Sequence, residues 1–146
     1  MQFSKLNREG AENVFRTVKN VEGATMTIGR AVSLKVTGVS IDGIGAVIAN
    51  AAGDYPGFAG IAVEDIANND YGRIQTSGFV QSVYLSQEVG SLTINAGDPL
   101  VPSGLGGFAS AAPTYANSGF RYVIAASNVP LVMSAATFAS GLIKML

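Results

Sequence analysis

The chain has 146 residues, only 13% of them charged, and a formal net charge of −1. It contains no cysteine and no histidine, which excludes disulfides, thiolate metal sites and general-base catalysis by an imidazole. The few basic residues are dispersed, so we expect no nucleic acid partner, and no apolar run approaches the roughly 18 residues of a membrane span, so we expect no membrane partner.

The N-terminal stretch differs from the rest of the chain in charge. Residues 1–20 carry six of the nineteen charged side chains, so we predict an N-terminal arm over residues 1–20 and a β domain over residues 21–146. Apolar residues of the arm recur at spacings of three and four, which fits a short amphipathic helix, and an extended arm is the open alternative. Either form needs a neighbour to order it. No apolar run follows the basic residues, so we do not expect a secretory signal.

From residue 24 onward the sequence has the pattern of short strands separated by Gly, Asn, Asp and Pro. It predicts a mainly β fold, a small single-domain β-barrel or β-sandwich preceded by the arm. The predicted strands are "ATMTIG", "AVSLKVTG", "GAVIA", "GFAGIAVEDI", "RIQTSGFVQSVYL", "SLTI", "PLVP", "FRYVIAAS" and "LIKML". The predicted core residues are Ile61, Val63, Ile74, Val80, Ile94, Leu100, Val123 and Ile143.

Three further features bear on the architecture. Gly78 interrupts the longest predicted strand, which indicates a bulge or bend. Similar phrases recur about 65 residues apart, such as "GFAGIA" and "GFRYVIA", which raises the alternatives of two related halves and of chance reuse. The stretch "GLGGFASAAPTYANSG" is predicted to be a loop, while "ASNVPLVMSAATFASGL" fits either a short helix or a strand through "PLVMSA".

The sequence offers no complete catalytic, cofactor or metal site. Glu64 and Asp65 are adjacent, and neighbours on a strand point to opposite faces, so they cannot serve one substrate as a carboxylate pair unless a bulge or turn intervenes. Asp42, Asp54, Asp70 and Asp98 lie beside turn-forming residues, where Asp bonds nearby backbone amides. The serines have no histidine to activate them. We therefore predict no catalytic residue, and because no cofactor motif or metal-ligand pattern is complete, we also predict no cofactor and no metal.

The segment "GFAGIAVEDIANNDYGRIQTSGFVQSV" resembles the head decoration, or cement, proteins of tailed bacteriophages. Four patterns carry the resemblance: an early "TI..G.AV.L", a central "GIA..DIA...YGR.Q..G.V", a later "I.AGDPLVPS" and a final "G.I.ML". The matching residues are Thr27, Ile28, Gly29, Ala31, Val32, Leu34, Gly60, Ile61, Ala62, Asp65, Ile66, Ala67, Tyr71, Gly72, Arg73, Gln75, Gly78, Val80, Ile94, Ala96, Gly97, Asp98, Pro99, Leu100, Val101, Pro102, Ser103, Gly141, Ile143, Met145 and Leu146. The C-terminal stretch "SNVPLVMSAATFAS" departs from the family by being more apolar.

The resemblance implies a viral structural protein rather than an enzyme. Such a protein is made in the host cytoplasm, sits on the outer capsid surface of the virion, often as a homotrimer, and clamps neighbouring copies of the major capsid protein. We expect the contact residues to lie in the arm: Phe3, Lys5, Leu6, Arg8, Val14, Phe15, Arg16 and Lys19. Two alternatives stay open, a phage fibre, tail or adhesin-type β module that binds a surface glycan, and a carboxylate-dependent hydrolase.

Overall fold

A computed structural model describes residues 13–36, 38, 42–51, 54–86, 92–104, 106–110, 123–126, 131–133 and 135–143. Within these ranges the secondary structure is eleven strands and one 3-10 turn, Tyr55–Gly57. The strands are β1 Val14–Asn20, β2 Ala31–Leu34, β3 Gly45–Ile48, β4 Phe58–Ala62, β5 Tyr71–Leu85, β6 Leu92–Ile94, β7 Pro99–Pro102, β8 Phe108–Ser110, β9 Val123–Ala126, β10 Leu131–Met133 and β11 Thr137–Ile143. The mainly β prediction is therefore confirmed.

Five strands form a closed ring, which we call the first barrel. β1 pairs with β3 in parallel, and antiparallel pairs then link β3 to β2, β2 to β4, β4 to β5 and β5 back to β1. Closure leaves no unpaired strand edge in the ring. Seven buried side chains form the core of this barrel: Val18, Met26, Val32, Ala46, Ala62, Ile66 and Ile74.

A second ring, the second barrel, shares the long strand β5 with the first. Antiparallel pairs link β5 to β11, β11 to β9, β9 to β7 and β7 to β8. A short parallel contact between Leu85 and Phe108 closes this ring, supported by a 2.9 Å bond from Ser86 N–H to Phe108 O. The second core cluster includes Val80, Val83, Leu85, Ile94, Leu100, Phe108, Val123, Ala125 and Ile143, and β6 pairs with β10 beside it.

Gly78 marks the point where β5 passes from one barrel to the other. Ser77 pairs with Val14 of β1, whereas Gly78 pairs with Ile143 of β11. Gly78 has a φ of 98°, a conformation that side-chain-bearing residues rarely adopt. The bend expected from the sequence is thus a change of partner strand.

The two barrels are built in the same order. The correspondence pairs β1 with the second half of β5, β2 with β7, β3 with β8, β4 with β9, and the first half of β5 with β11. Each pair of neighbouring strands is parallel in both barrels or antiparallel in both. Equivalent backbone bonds fix the alignment: Gly29 N–H donates to Ala62 O at 2.8 Å, and Gly97 N–H donates to Ala125 O at 2.9 Å. The structure therefore favours two related halves over chance reuse.

The sequence echo located these halves only approximately. "GFAGIA" and "GFRYVIA" end on the equivalent residues Ala62 and Ala125. The phrases "AVSL" and "DPLV" fall at the equivalent strands β2 and β7 but are displaced by one residue. The first ring is the small β-barrel that the sequence predicts, and β5 is long enough to join it to a second, related ring.

The predicted arm is too long. Val14–Asn20 is strand β1 of the first barrel, and Val18 and Asn20 are completely buried. The Asn20 amide donates to Ala24 O and Ile66 O, both at 2.7 Å, so it ties β1 to two loops. Residues 14–20 belong to the β domain, and the helix alternative is wrong for them, because pairing with β5 outweighs the helical spacing. Residues 1–12 lie outside the described residues.

Other predictions have mixed outcomes. Seven of the eight predicted core residues are buried, and the eighth, Val63, is partly exposed because β4 ends at Ala62. "ATMTIG" contributes only an isolated bridge from Met26 to Ile66. Phe108–Ser110 is a strand inside the stretch predicted to be a loop, and Leu131–Met133 is a strand, which decides that alternative.

Candidate interaction surfaces

The adjacent carboxylates Glu64 and Asp65 each hold a different part of the backbone. Glu64 Oε1 accepts the Arg73 N–H at 2.7 Å and lies 3.6 Å from Arg73 Nε. Asp65 Oδ1 accepts the Ile28 N–H at 2.8 Å on another loop. Because each carboxylate has its own backbone partner, the arrangement serves to fix loops and does not present two carboxylates to one ligand.

Three more carboxylates bond backbone groups. Asp42 Oδ1 accepts the N–H groups of Gly45 and Ile44, and these bonds, Gly45 first, lower the pKa of Asp42 below its ordinary value of 3.8. Asp98 Oδ2 accepts the Asn95 N–H at 2.7 Å, and Glu22 Oε2 accepts the Ile48 N–H at 2.9 Å. The turn-capping role predicted for Asp42 and Asp98 is confirmed.

Hydroxyl groups provide no activated nucleophile in the part of the chain described. Ser86 Oγ and Ser103 Oγ are buried and bond each other, while Ser33 Oγ is buried without a hydrogen-bond partner. The described residues contain no group of three or more acidic side chains placed to hold a metal ion.

The outer side of β1 and β5 forms one exposed surface, which we call the first-barrel face: Phe15, Thr17, Lys19, Tyr71 and Arg73. Register places Lys19 opposite Tyr71 and Thr17 opposite Arg73, so these side chains share one side of the ladder. The Lys19 ammonium lies 5.9 Å from the centre of the Tyr71 ring, and the Arg73 guanidinium carbon lies 5.7 Å from that of Phe15. Tyr71 remains 65% exposed and Phe15 46% exposed. The face combines two cations with two aromatic rings, and of these residue types Arg, Phe and Tyr are enriched at protein interfaces whereas Lys is depleted.

The equivalent side of β5 and β11 forms the second-barrel face: Phe79, Tyr84, Phe138 and Leu142. Phe79 lies opposite Leu142, and Tyr84 lies opposite Phe138, their ring centres 5.4 Å apart. The first barrel covers one end of this face, because the Arg30 guanidinium carbon lies 4.0 Å from the centre of the Tyr84 ring. Phe79 and Leu142 at the other end are both more than 40% exposed.

The structure brings together only some of the predicted contact residues. Phe15 and Lys19 lie on the first-barrel face, and Val14 is exposed at the start of β1. Arg16 is exposed and donates from Nη2 to Gly43 O, so it supports a loop. The remaining four, Phe3, Lys5, Leu6 and Arg8, lie outside the described residues.

Sequence reasoning missed the other half of the first-barrel face. Tyr71 and Arg73 belong to β5, and the alternation of β5 did indicate that they share one side of that strand. Nothing local in the sequence indicates that β1 pairs beside them, because the charge of residues 1–20 favours an arm. The cation–aromatic pairs therefore cannot be predicted from the sequence.

Comparison with models of known protein families and with curated proteins found no match. Among the described residues no helix is long and apolar enough to span a membrane.

Proposed function

We propose that this chain is a structural protein of a tailed bacteriophage that binds the outer surface of the capsid and bridges neighbouring capsid subunits. It acts as a homo-oligomer, in the simplest case a trimer. The observation that carries the proposal is that exposed aromatic and apolar side chains lie on closed rings of strands. Five described carboxylates accept bonds from backbone N–H groups: Glu22, Asp42, Glu64, Asp65 and Asp98. Exposed apolar surfaces of this kind are typical of assembly.

The residues that carry the resemblance have structural roles compatible with this function. Gly60 and Gly72 sit where a side chain would collide with the Gln75 backbone and with Ile66, respectively. Asp65 and Asp98 hold loops. These roles fit a resemblance that rests on packing and turn residues and not on a catalytic signature.

The direct test is decoration of capsid shells. Empty shells assembled from the major capsid protein of the phage that encodes this chain are mixed with the purified protein and imaged by electron cryomicroscopy. We expect added density at repeated positions on the outer surface and greater resistance of the shells to heat. Shells that remain bare at saturating protein would refute the proposal.

A truncation tests the contribution of the arm. Deleting residues 1–12 leaves β1 intact, so we expect a folded protein that binds shells more weakly, because Phe3 and Leu6 are lost as apolar anchors. Circular dichroism controls for folding. If the truncated protein decorates shells as well as the full chain does, the capsid contact lies on the barrels.

A glycan-binding fibre or adhesin-type module is the second candidate. The exposed Tyr71 ring favours it, since aromatic faces stack on sugars. Screening the protein against a glycan array, with Tyr71→Ala as the control, separates the two functions. Binding to one glycan class that depends on Tyr71, together with bare shells, would favour the adhesin.

A further inference from the structure

A turn of the first barrel packs on the second-barrel face and joins the two barrels. In this first turn, residues 27–30, Gly29 O accepts the Tyr84 N–H at 3.0 Å. A β-carbon on Gly29 would lie 2.9 Å from the Phe138 ring, so only glycine permits this approach. The Arg30 guanidinium lies over the Tyr84 ring. The contact thus consists of a turn seated on a cross-strand pair.

The second barrel carries an equivalent turn that packs on no such face among the residues the structure describes. In this second turn, residues 95–98, Asp98 N–H donates to Asn95 O at 3.1 Å, as Arg30 N–H donates to Thr27 O at 3.4 Å in the first turn. The two glycines have nearly the same conformation, φ 81° at Gly29 and φ 87° at Gly97. No described atom lies within 4 Å of a β-carbon built on Gly97. The second turn is therefore an exposed copy of a packing element.

The first barrel carries the matching exposed face. Two backbone bonds are equivalent in the two barrels: Val21 N–H donates to Ala46 O, and Ser86 N–H donates to Phe108 O. This alignment makes Lys19 the equivalent of Tyr84. Because Lys19 lies opposite Tyr71 and Tyr84 lies opposite Phe138, Tyr71 is the equivalent of Phe138. Within the described chain no turn covers Lys19 and Tyr71. Each half of the intramolecular contact thus has an equivalent on the opposite barrel that no other described residue covers in the same way.

We propose that the second turn of one molecule packs on the first-barrel face of a second copy, repeating between molecules the contact that joins the barrels within one. The charges are complementary. Position 98 is an aspartate where the first turn has Arg30, and position 19 is a lysine where the second-barrel face has Tyr84. Asp98 Oδ2 is bonded to Asn95, and Oδ1 is free among the described residues to meet the Lys19 ammonium.

One backbone difference makes the intermolecular contact weaker than its template. Lys19 N–H already donates to Ile44 O at 2.9 Å, so it cannot bond Gly97 O as Tyr84 N–H bonds Gly29 O. The contact between copies therefore depends on side chains, above all on the Lys19–Asp98 ion pair. Because exposed ion pairs are screened by salt, association should weaken as ionic strength rises.

The geometry has a consequence for the assembly. The turn and the face are different surfaces, so the contact is head-to-tail, which gives a closed ring if the rotation closes and a filament if it does not. A closed ring of three would be the trimer. This inference rests on the self-association part of the proposed function and not on capsid binding.

The absence of cysteine allows a direct cross-linking test. Thr17→Cys on the first-barrel face and Ala96→Cys in the second turn leave Lys19 and Asp98 in place, and they are purified as separate single variants, mixed and mildly oxidised. Thr17 is the equivalent of Ser82, whose carbonyl oxygen lies 3.2 Å from a β-carbon built on Gly29. We expect a disulfide-linked dimer that needs both variants and forms at least about tenfold faster than in a control mixture of Lys35→Cys with Ala96→Cys. Equal rates in the two mixtures would overturn the proposal.

Charge exchange is the second measurement, read by sedimentation velocity. Lys19→Glu and Asp98→Arg should each weaken association by about tenfold or more, and the double variant should restore it. Arg30 occupies the equivalent turn position, so Asp98→Arg is compatible with the turn. Single variants that associate like the wild type would overturn this interface and leave self-association standing. A wild type that is monomeric at every concentration would overturn both, and bare shells alone would overturn only the capsid role.

Discussion

Truncating Val18 measures whether β1 is part of the folded domain. Val18 is completely buried in the first barrel, at the centre of a strand that the sequence places in an arm. Val18→Ala removes two methyl groups, each worth about 0.8 kcal/mol of transfer free energy, and leaves a cavity that the closed barrel cannot easily collapse. We expect the free energy of unfolding to fall by about 2 to 3 kcal/mol.

Val14→Ala is the matched control, since it makes the same chemical change on the same strand at a side chain that is 43% exposed. We expect it to cost less than about 1 kcal/mol. Urea denaturation at one fixed protein concentration measures both, because self-association would make the stability depend on concentration. If the two variants lose equal stability, β1 is not a core strand, and the first barrel is not closed as described.

Three further predictions concern single positions. Ser33→Ala should raise the melting temperature, because it removes a buried hydroxyl without a partner, worth about 1–3 kcal/mol; an unchanged or lower melting temperature contradicts this. Gly29→Ala should cost more stability in urea than Gly97→Ala, since both have positive φ but only Gly29 is closely packed; equal losses would contradict the contact between the barrels. Asp42→Asn should be less stable than the wild type at neutral pH. Because the pKa of Asp42 is lowered in the folded protein, its carboxylate contributes fully to stability above the ordinary pKa of 3.8, and this contribution is lost as the pH falls through the folded-state pKa. The stability difference between wild type and variant should therefore shrink in acid. A stability difference that is constant with pH would refute this.

The strands with a clear period of two were predictable from the sequence. In β5 the alternation around Ile74 and Val80 identified buried positions, and Gly78 identified the change between the barrels. The turn roles of Asp42 and Asp98 were also local, because their partners lie within three residues. In each case neighbours in sequence supply the interaction, so the pattern contains the information.

The tertiary structure alone decided where β1 belongs and what surface it makes. Helical spacing around Val18 was real, but the parallel pairing with β3 and the antiparallel pairing with β5 outweigh it. The partners Lys19 and Tyr71 lie more than fifty residues apart along the chain, and no local pattern states such a register. The two exposed halves of a packing contact, the turn at Gly97 and the face at Tyr71, become visible only once the barrels are aligned through their backbone bonds. Strand period is a property of neighbouring residues, whereas ring closure and its surfaces depend on which distant strands meet.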